Sequence, residues 1–160
     1  MNTYDQFIDS KRHLGGDHGF DPVFNPPFLF PFQRELVAWA TRKGRAAIFA
    51  DCGLGKTAMQ LTWAQNVIEK TNKPVLVLTP LAVAKQTVRE AAKFGIEAHQ
   101  SRDGALAGKL IVTNYQQLQK FNATDFSGCV CDESSILKNF DGKIKAEITD
   151  FMRKMPYRLL

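Results

Sequence analysis

With 160 residues, 44% of them hydrophobic and 23% charged, the chain has the length and composition of one ordinary globular domain. A net charge of +5 points only weakly to nucleic acid, because the basic residues are scattered apart from Arg42 to Arg45 and a stripe of Lys85, Arg89 and Lys93. No apolar run approaches the roughly 18 residues that span a membrane, and the N-terminus lacks the apolar stretch of a signal peptide, which argues against a membrane partner.

Residues 1–29 are rich in Gly, Pro and Phe and have little periodicity. They read as an extended arm, with one short helix over 4–10, whose aromatics pack onto a domain spanning 30–160. His13, Asp17 and His18 are too irregularly spaced to argue strongly for a metal site. A helix follows over 34–43, with Leu36, Val37 and Ala40 on its apolar face. The run 46–50 has the length of a buried strand. After two glycines, Met59, Trp63, Val67 and Ile68 stand at helical spacing. The continuous apolar run 74–79 predicts a second buried strand. Pro80 ends it, and 81–94 predicts a helix stopped by Gly95. A short strand over 96–99, a polar loop over 101–108, a strand over 110–113 and a helix from 115 come next. The brief apolar run 129–131 is another strand, a turn falls at 139–142, an amphipathic helix covers 143–154 and a last strand begins at 157. Strands alternating with helices define an α/β domain, a mainly parallel sheet with helices on both faces.

Two runs carry chemistry. Asp51, Cys52, Gly53, Leu54, Gly55, Lys56 and Thr57 stand between a predicted strand and a predicted helix, which is the setting a phosphate-binding loop requires. Glycines let backbone N–H groups turn inward around phosphates, and the helix start adds partial positive charge. Lys56 would reach the β- and γ-phosphates and the Thr57 hydroxyl would ligate Mg²⁺. Ala50 stands where the usual pattern has its first Gly, a mild departure because the position calls for a small residue. The second run is Asp132 and Glu133, at the carboxyl end of the 129–131 strand, where open α/β sheets place ligands. Asp132 can hold Mg²⁺ and Glu133 can polarise an attacking water. An isolated Asp-Glu pair is usually a solvated loop; with the phosphate loop it indicates a nucleoside triphosphatase.

Two further features are open to more than one reading. Gln33 opens a helix and could pair with an adenine edge by donating and accepting at once, although a surface Gln is the ordinary interpretation. Cys52, Cys129 and Cys131 are an odd set with poor disulfide spacing. Cys129 and Cys131 share one face of a strand and are most simply core residues in a protein of the reducing cytoplasm.

In order along the chain, residues 30–33, 51–57, 78–80, 112–115 and 132–139 resemble the motifs of superfamily 2 helicases, and within them the Swi/Snf-type branch with its phage and prophage relatives. The resemblance covers about 30–160 and implies a RecA-like P-loop NTPase domain in a bacterial or phage-encoded protein. It implies that Gln33 reads adenine, that the 51–57 loop holds ATP, and that Thr57 and Asp132 hold Mg²⁺. Lys56 and Glu133 become catalytic. The segments around Thr79 and Pro80, and around Thr113 and Asn114, are implied to face a nucleic-acid backbone, most simply duplex DNA. Ser135 replaces the usual His after the acidic pair, which puts in doubt how ATP state is coupled to later motifs. Members of the branch continue from the segment matching 157–160 into a Thr-Gly-Thr-Pro-like stretch and a second RecA-like lobe. The resemblance therefore implies a first motor lobe that turns over ATP poorly without the second. Another P-loop enzyme, complete by itself, and a degenerate non-catalytic nucleotide-binding module are the alternatives.

Overall fold

The C-terminal ends of all the strands meet at one edge of the sheet, because every strand pairing is parallel. The computed structural model describes residues 18–48, 55–132 and 138–160. In chain order the elements are α1 (Pro31–Lys43), β1 (Arg45–Ala46), α2 (Lys56–Thr71), β2 (Val75–Thr79), α3 (Ala84–Lys93), β3 (His99–Gln100), β4 (Leu110–Asn114), β5 (Gly128–Cys131), α4 (Gly142–Arg153) and β6 (Tyr157–Leu159). Among the described residues the strand order is β1-β6-β5-β2-β4-β3.

Alternation along the strands divides the core in two. On β2, Val75 and Val77 point to one face, with Met59, Trp63 and Val67 of α2, Val37 and Ala40 of α1, and Ala84 and Ala91 of α3. Leu76 and Leu78 point to the other, with Ile148, Phe151 and Met152 of α4. A period of two along strands buried on both faces accounts for their unbroken apolar sequence. Cys129 and Cys131 lie fully buried on the α4 face, and burial, with Cys131 beside it, pushes the Cys129 thiol well up. These are packing residues, as the strand pattern suggested.

The described part of the N-terminal arm is docked on the lobe. The N–H groups of His18, Gly19 and Phe20 donate to the carbonyls of Lys43, Arg42 and Thr41, supplying partners that a helix end lacks. A Cβ on Gly19 would stand 1.8 Å from the Thr41 oxygen, so the approach leaves no room for a side chain. Asn66 of α2 clamps the next turn of the arm: its Oδ1 accepts from the N–H groups of Val23 and Phe24, each at 2.8 Å, and its Nδ2 donates to Phe24 O at 2.9 Å. Phe28 stacks on Phe94 with ring centroids 4.7 Å apart. The expected helix over 4–10 lies outside the described residues.

Several boundaries differ from those read off the chain. The strand expected over 46–50 is assigned over Arg45–Ala46, and its ladder extends through the bond from Ile48 N to Leu160 O; residues 49 and 50 are outside the described set. The helix expected over 81–94 begins as a single 3₁₀ turn, Leu81–Val83, before α3. Ile96 is not in a strand. Its N–H reaches back to Ala91 O while that of Gly95 reaches Ala92 O, a paired closure that ties Ile96 to the end of α3 and delays β3 to His99. After β4 the chain forms a 3₁₀ helix, Tyr115–Lys120, where an α-helix was expected. Tyr115, Leu118 and Phe121 recur every three residues and are all buried, which suits three residues per turn.

Candidate nucleotide-binding site

Helix α2 starts at the sheet edge where the strands end. Gly55 precedes it with φ 74°, a left-handed conformation that a side chain resists, and Lys56 and Thr57 open the 16-residue α2. Gln33 packs directly against this turn. A Cβ added to Gly55 would sit 2.1 Å from Gln33 Nε2. Gln33 is 5% exposed, and its Oε1 accepts from Phe30 N at 2.9 Å, so it is not a surface glutamine. Gly55→Ala is therefore expected to cost about 1–2 kcal/mol in backbone strain and to displace Gln33 as well. Thermal unfolding and nucleotide affinity measured together check this, and an unchanged affinity would refute the coupling between the two residues.

Asp132 follows β5 at the same edge and is 8% exposed. Its N–H donates to Leu78 O at 2.8 Å and its carbonyl accepts from the Tyr115 hydroxyl. Its Oδ1 accepts from Gln60 Nε2 at 3.0 Å across 72 residues of sequence. Gln60 was not singled out from the chain. The signal was its place one helical turn beyond Lys56, but a Gln in an amphipathic helix has nothing else to mark it.

The other expected site residues are brought together in part. Thr79 and Asn114 are paired across β2 and β4, and Thr113 lies beside them. All three are buried. Thr79 Oγ1 donates to Pro80 O at 3.0 Å, and Asn114 Oδ1 accepts from Gln116 N at 3.1 Å. The Thr79 and Asn114 side chains support the turns at the edge, the Thr113 hydroxyl has no hydrogen-bond partner among the described residues, and the solvent-facing surface beside them belongs to half-buried Pro80 and to exposed Leu81 and Gln116. Lys85, Arg89 and Lys93 are exposed along α3 and form no ion pair among the described residues. Arg42, by contrast, pairs with Asp21 at 2.9 Å. Asp51, Cys52, Gly53, Leu54, Glu133 and Ser135 lie outside the described residues, as do His13 and Asp17. Among the described residues no group of His, Cys, Asp or Glu is arranged to hold a metal, and no helix is long and apolar enough to cross a membrane.

The donor set suits a magnesium triphosphate. A cation and a helix start favour the anion, and a hydroxyl with a carboxylate are oxygen ligands for a hard metal. A family model described as type III restriction enzyme, res subunit, matches residues 28–147. The chain belongs to this family. The matched span takes in Gln33, Lys56, Thr57 and Asp132. A curated relative is protein p41 of Acyrthosiphon pisum secondary endosymbiont phage 1, 29% identical and covering 80% of this chain. The alignment covers 33% of that relative, so the chain spans about a third of its length. Among solved structures, the UvsW helicase of bacteriophage T4 matches with a TM-score of 0.70 at 14% identity, over 86% of this chain and 54% of its own. The Sulfolobus solfataricus SWI2/SNF2 ATPase core, solved in complex with dsDNA, matches with a TM-score of 0.70 at 22% identity, over 88% of this chain and 32% of its own. These likenesses establish a RecA-like α/β fold.

Proposed function

We propose that this chain is the first lobe of an ATP-driven motor acting on nucleic acid, most simply duplex DNA, and that it works with a second RecA-like lobe. The observation that carries the reading is the hydrogen bond from Gln60, one turn after Lys56 and Thr57 on α2, to Asp132 at the end of β5, which ties the start of α2 to the acidic strand end. Bound magnesium triphosphate supplies a γ-phosphoryl group whose transfer to water releases the free energy for movement. Lys56 donates to phosphate oxygens, Thr57 and Asp132 supply the metal's oxygen ligands, and Glu133 orients and polarises the water. Gln33, packed on Gly55, is assigned to the adenine, with Asp51, Cys52, Gly53 and Leu54 completing the phosphate loop.

The unpaired cations of α3 and the edge formed by Pro80, Leu81 and Gln116 support a nucleic-acid face around the Thr79 and Thr113–Asn114 turns. Charge stabilisation in the transition state falls to arginines of the second lobe, a contribution of about 10³ to 10⁵ in rate where such arginines have been measured. Turnover by this chain alone is accordingly expected to be close to background.

ATP turnover by the two-lobed protein, with and without duplex DNA, tests the proposal. DNA should stimulate it, and Glu133→Gln should lower it by about 10²-fold or more, in the range of a lost general base. Turnover that is complete in this chain alone and indifferent to DNA would instead identify a self-sufficient P-loop enzyme. Triphosphate binding without turnover, even with both lobes present, would identify a binding module.

A further inference from the structure

We propose that Gln60 is a positioning residue for Asp132, holding one carboxylate oxygen so that the other is presented to the magnesium side of the site; this rests on the ATP-binding function proposed above. An ionised carboxylate can only accept hydrogen bonds, so the Gln60 amide must turn its N–H₂ toward Asp132, as the 3.0 Å contact to Oδ1 has it. The two residues are 3% and 8% exposed, so water competes little for this bond.

The main chain of Asp132 is held independently, by Leu78 O on its N–H and by the Tyr115 hydroxyl on its carbonyl. What these contacts leave undetermined is the rotation of the carboxylate, and Gln60 determines it. Oδ2 carries no hydrogen bond among the described residues. Gln60 also stands four residues after Lys56 on the same helix, hence on the same face. One side chain thereby locks the strand end that bears the metal carboxylate to the helix that bears the phosphate donors. Partners that orient metal ligands in this way are worth about 10- to 100-fold in metal affinity.

The test is binding of a fluorescent ATP analogue to this chain, titrated with Mg²⁺ and repeated in EDTA. Gln60→Met keeps the length and volume of the side chain and removes the donor. It is expected to raise the Mg²⁺ concentration for half-maximal enhancement by about 10-fold and to leave affinity in EDTA unchanged. In an Asp132→Asn background the same substitution should add no further shift, because the two residues act as one unit. Gln60→Asn, which keeps the amide but falls a methylene short, should reproduce the shift and serves if the Met variant does not fold. A wild-type Mg²⁺ response in either folded variant would overturn the assignment, as would a full additional shift on top of Asp132→Asn. Wild-type binding that ignored both Mg²⁺ and Lys56→Ala would overturn the ATP-binding function itself, and with it this role.

Discussion

Lys56→Ala is expected to lower ATP turnover of the two-lobed protein by about 10² to 10³-fold, the loss seen when a preorganised donor to a developing negative charge is removed. Fold should be retained. Lys56 is half-buried, its side chain makes no hydrogen bond or ion pair among the described residues, and the buried positions of its helix are 58–64 and 66–68. The loss should appear in both kcat and nucleotide affinity, because the ammonium meets the phosphates in the ground state and again as charge shifts in the transition state. Steady-state kinetics alongside far-UV circular dichroism separate the outcomes. Near-normal kcat/KM in a folded variant would remove Lys56 from the site, and the phosphate-loop assignment would go with it.

Trp63→Ala is expected to be the most destabilising single change on the α2 face of the sheet. Trp63 is fully buried, packs in the same cluster as Val37 and Ala40 of α1, and directs its indole N–H at Ala40 O at 3.4 Å. Truncating a buried aromatic of this size costs about 3–5 kcal/mol, which corresponds to a fall in Tm on the order of 10 °C for a domain of this length. Trp63→Phe, which keeps most of the volume, should recover much of that loss. Urea unfolding of the pair measures it, and a cost under 1 kcal/mol for the Ala variant would mean that the site collapses around the gap. Because α2 carries both Lys56 and Gln60, nucleotide affinity should weaken in parallel with stability in the Ala variant.

What the chain made legible follows from short-range physics. Glycine turn and helix start are contiguous in sequence, so the start of α2 after Gly55 could be read without any tertiary information. The same holds for the parallel α/β class, since a strand buried on both faces must be apolar at every position, as 75–78 are. Cys129 and Cys131 were legible as core from the two-residue repeat alone.

Other features were not legible because competing local contacts decided them. Ile96 has a strand-like neighbourhood in sequence, yet its N–H is taken by Ala91 O. The segment after β4 has helical composition, yet the burial of Tyr115, Leu118 and Phe121 selects three residues per turn. The segments around Thr79 and Pro80, and around Thr113 and Asn114, were implied by the resemblance to face a nucleic-acid backbone. In the fold Thr79, Thr113 and Asn114 are buried at the strand ends, where the Thr79 hydroxyl and the Asn114 carboxamide bond adjacent backbone, and the exposed surface beside them belongs to their neighbours.

By itself, then, the sequence determined the class of fold, the order of its elements and the place of helix α2 after its glycine turn, because each of these rests on patterns within one turn or one strand. Only the tertiary structure decided how the parts of the site are held. It buried Gln33 against Gly55, docked the arm on Asn66, and bonded Gln60 to Asp132 across 72 residues. Such contacts depend on which strand lies beside which, and the parallel crossovers that set this order bring together side chains with no local sign of each other.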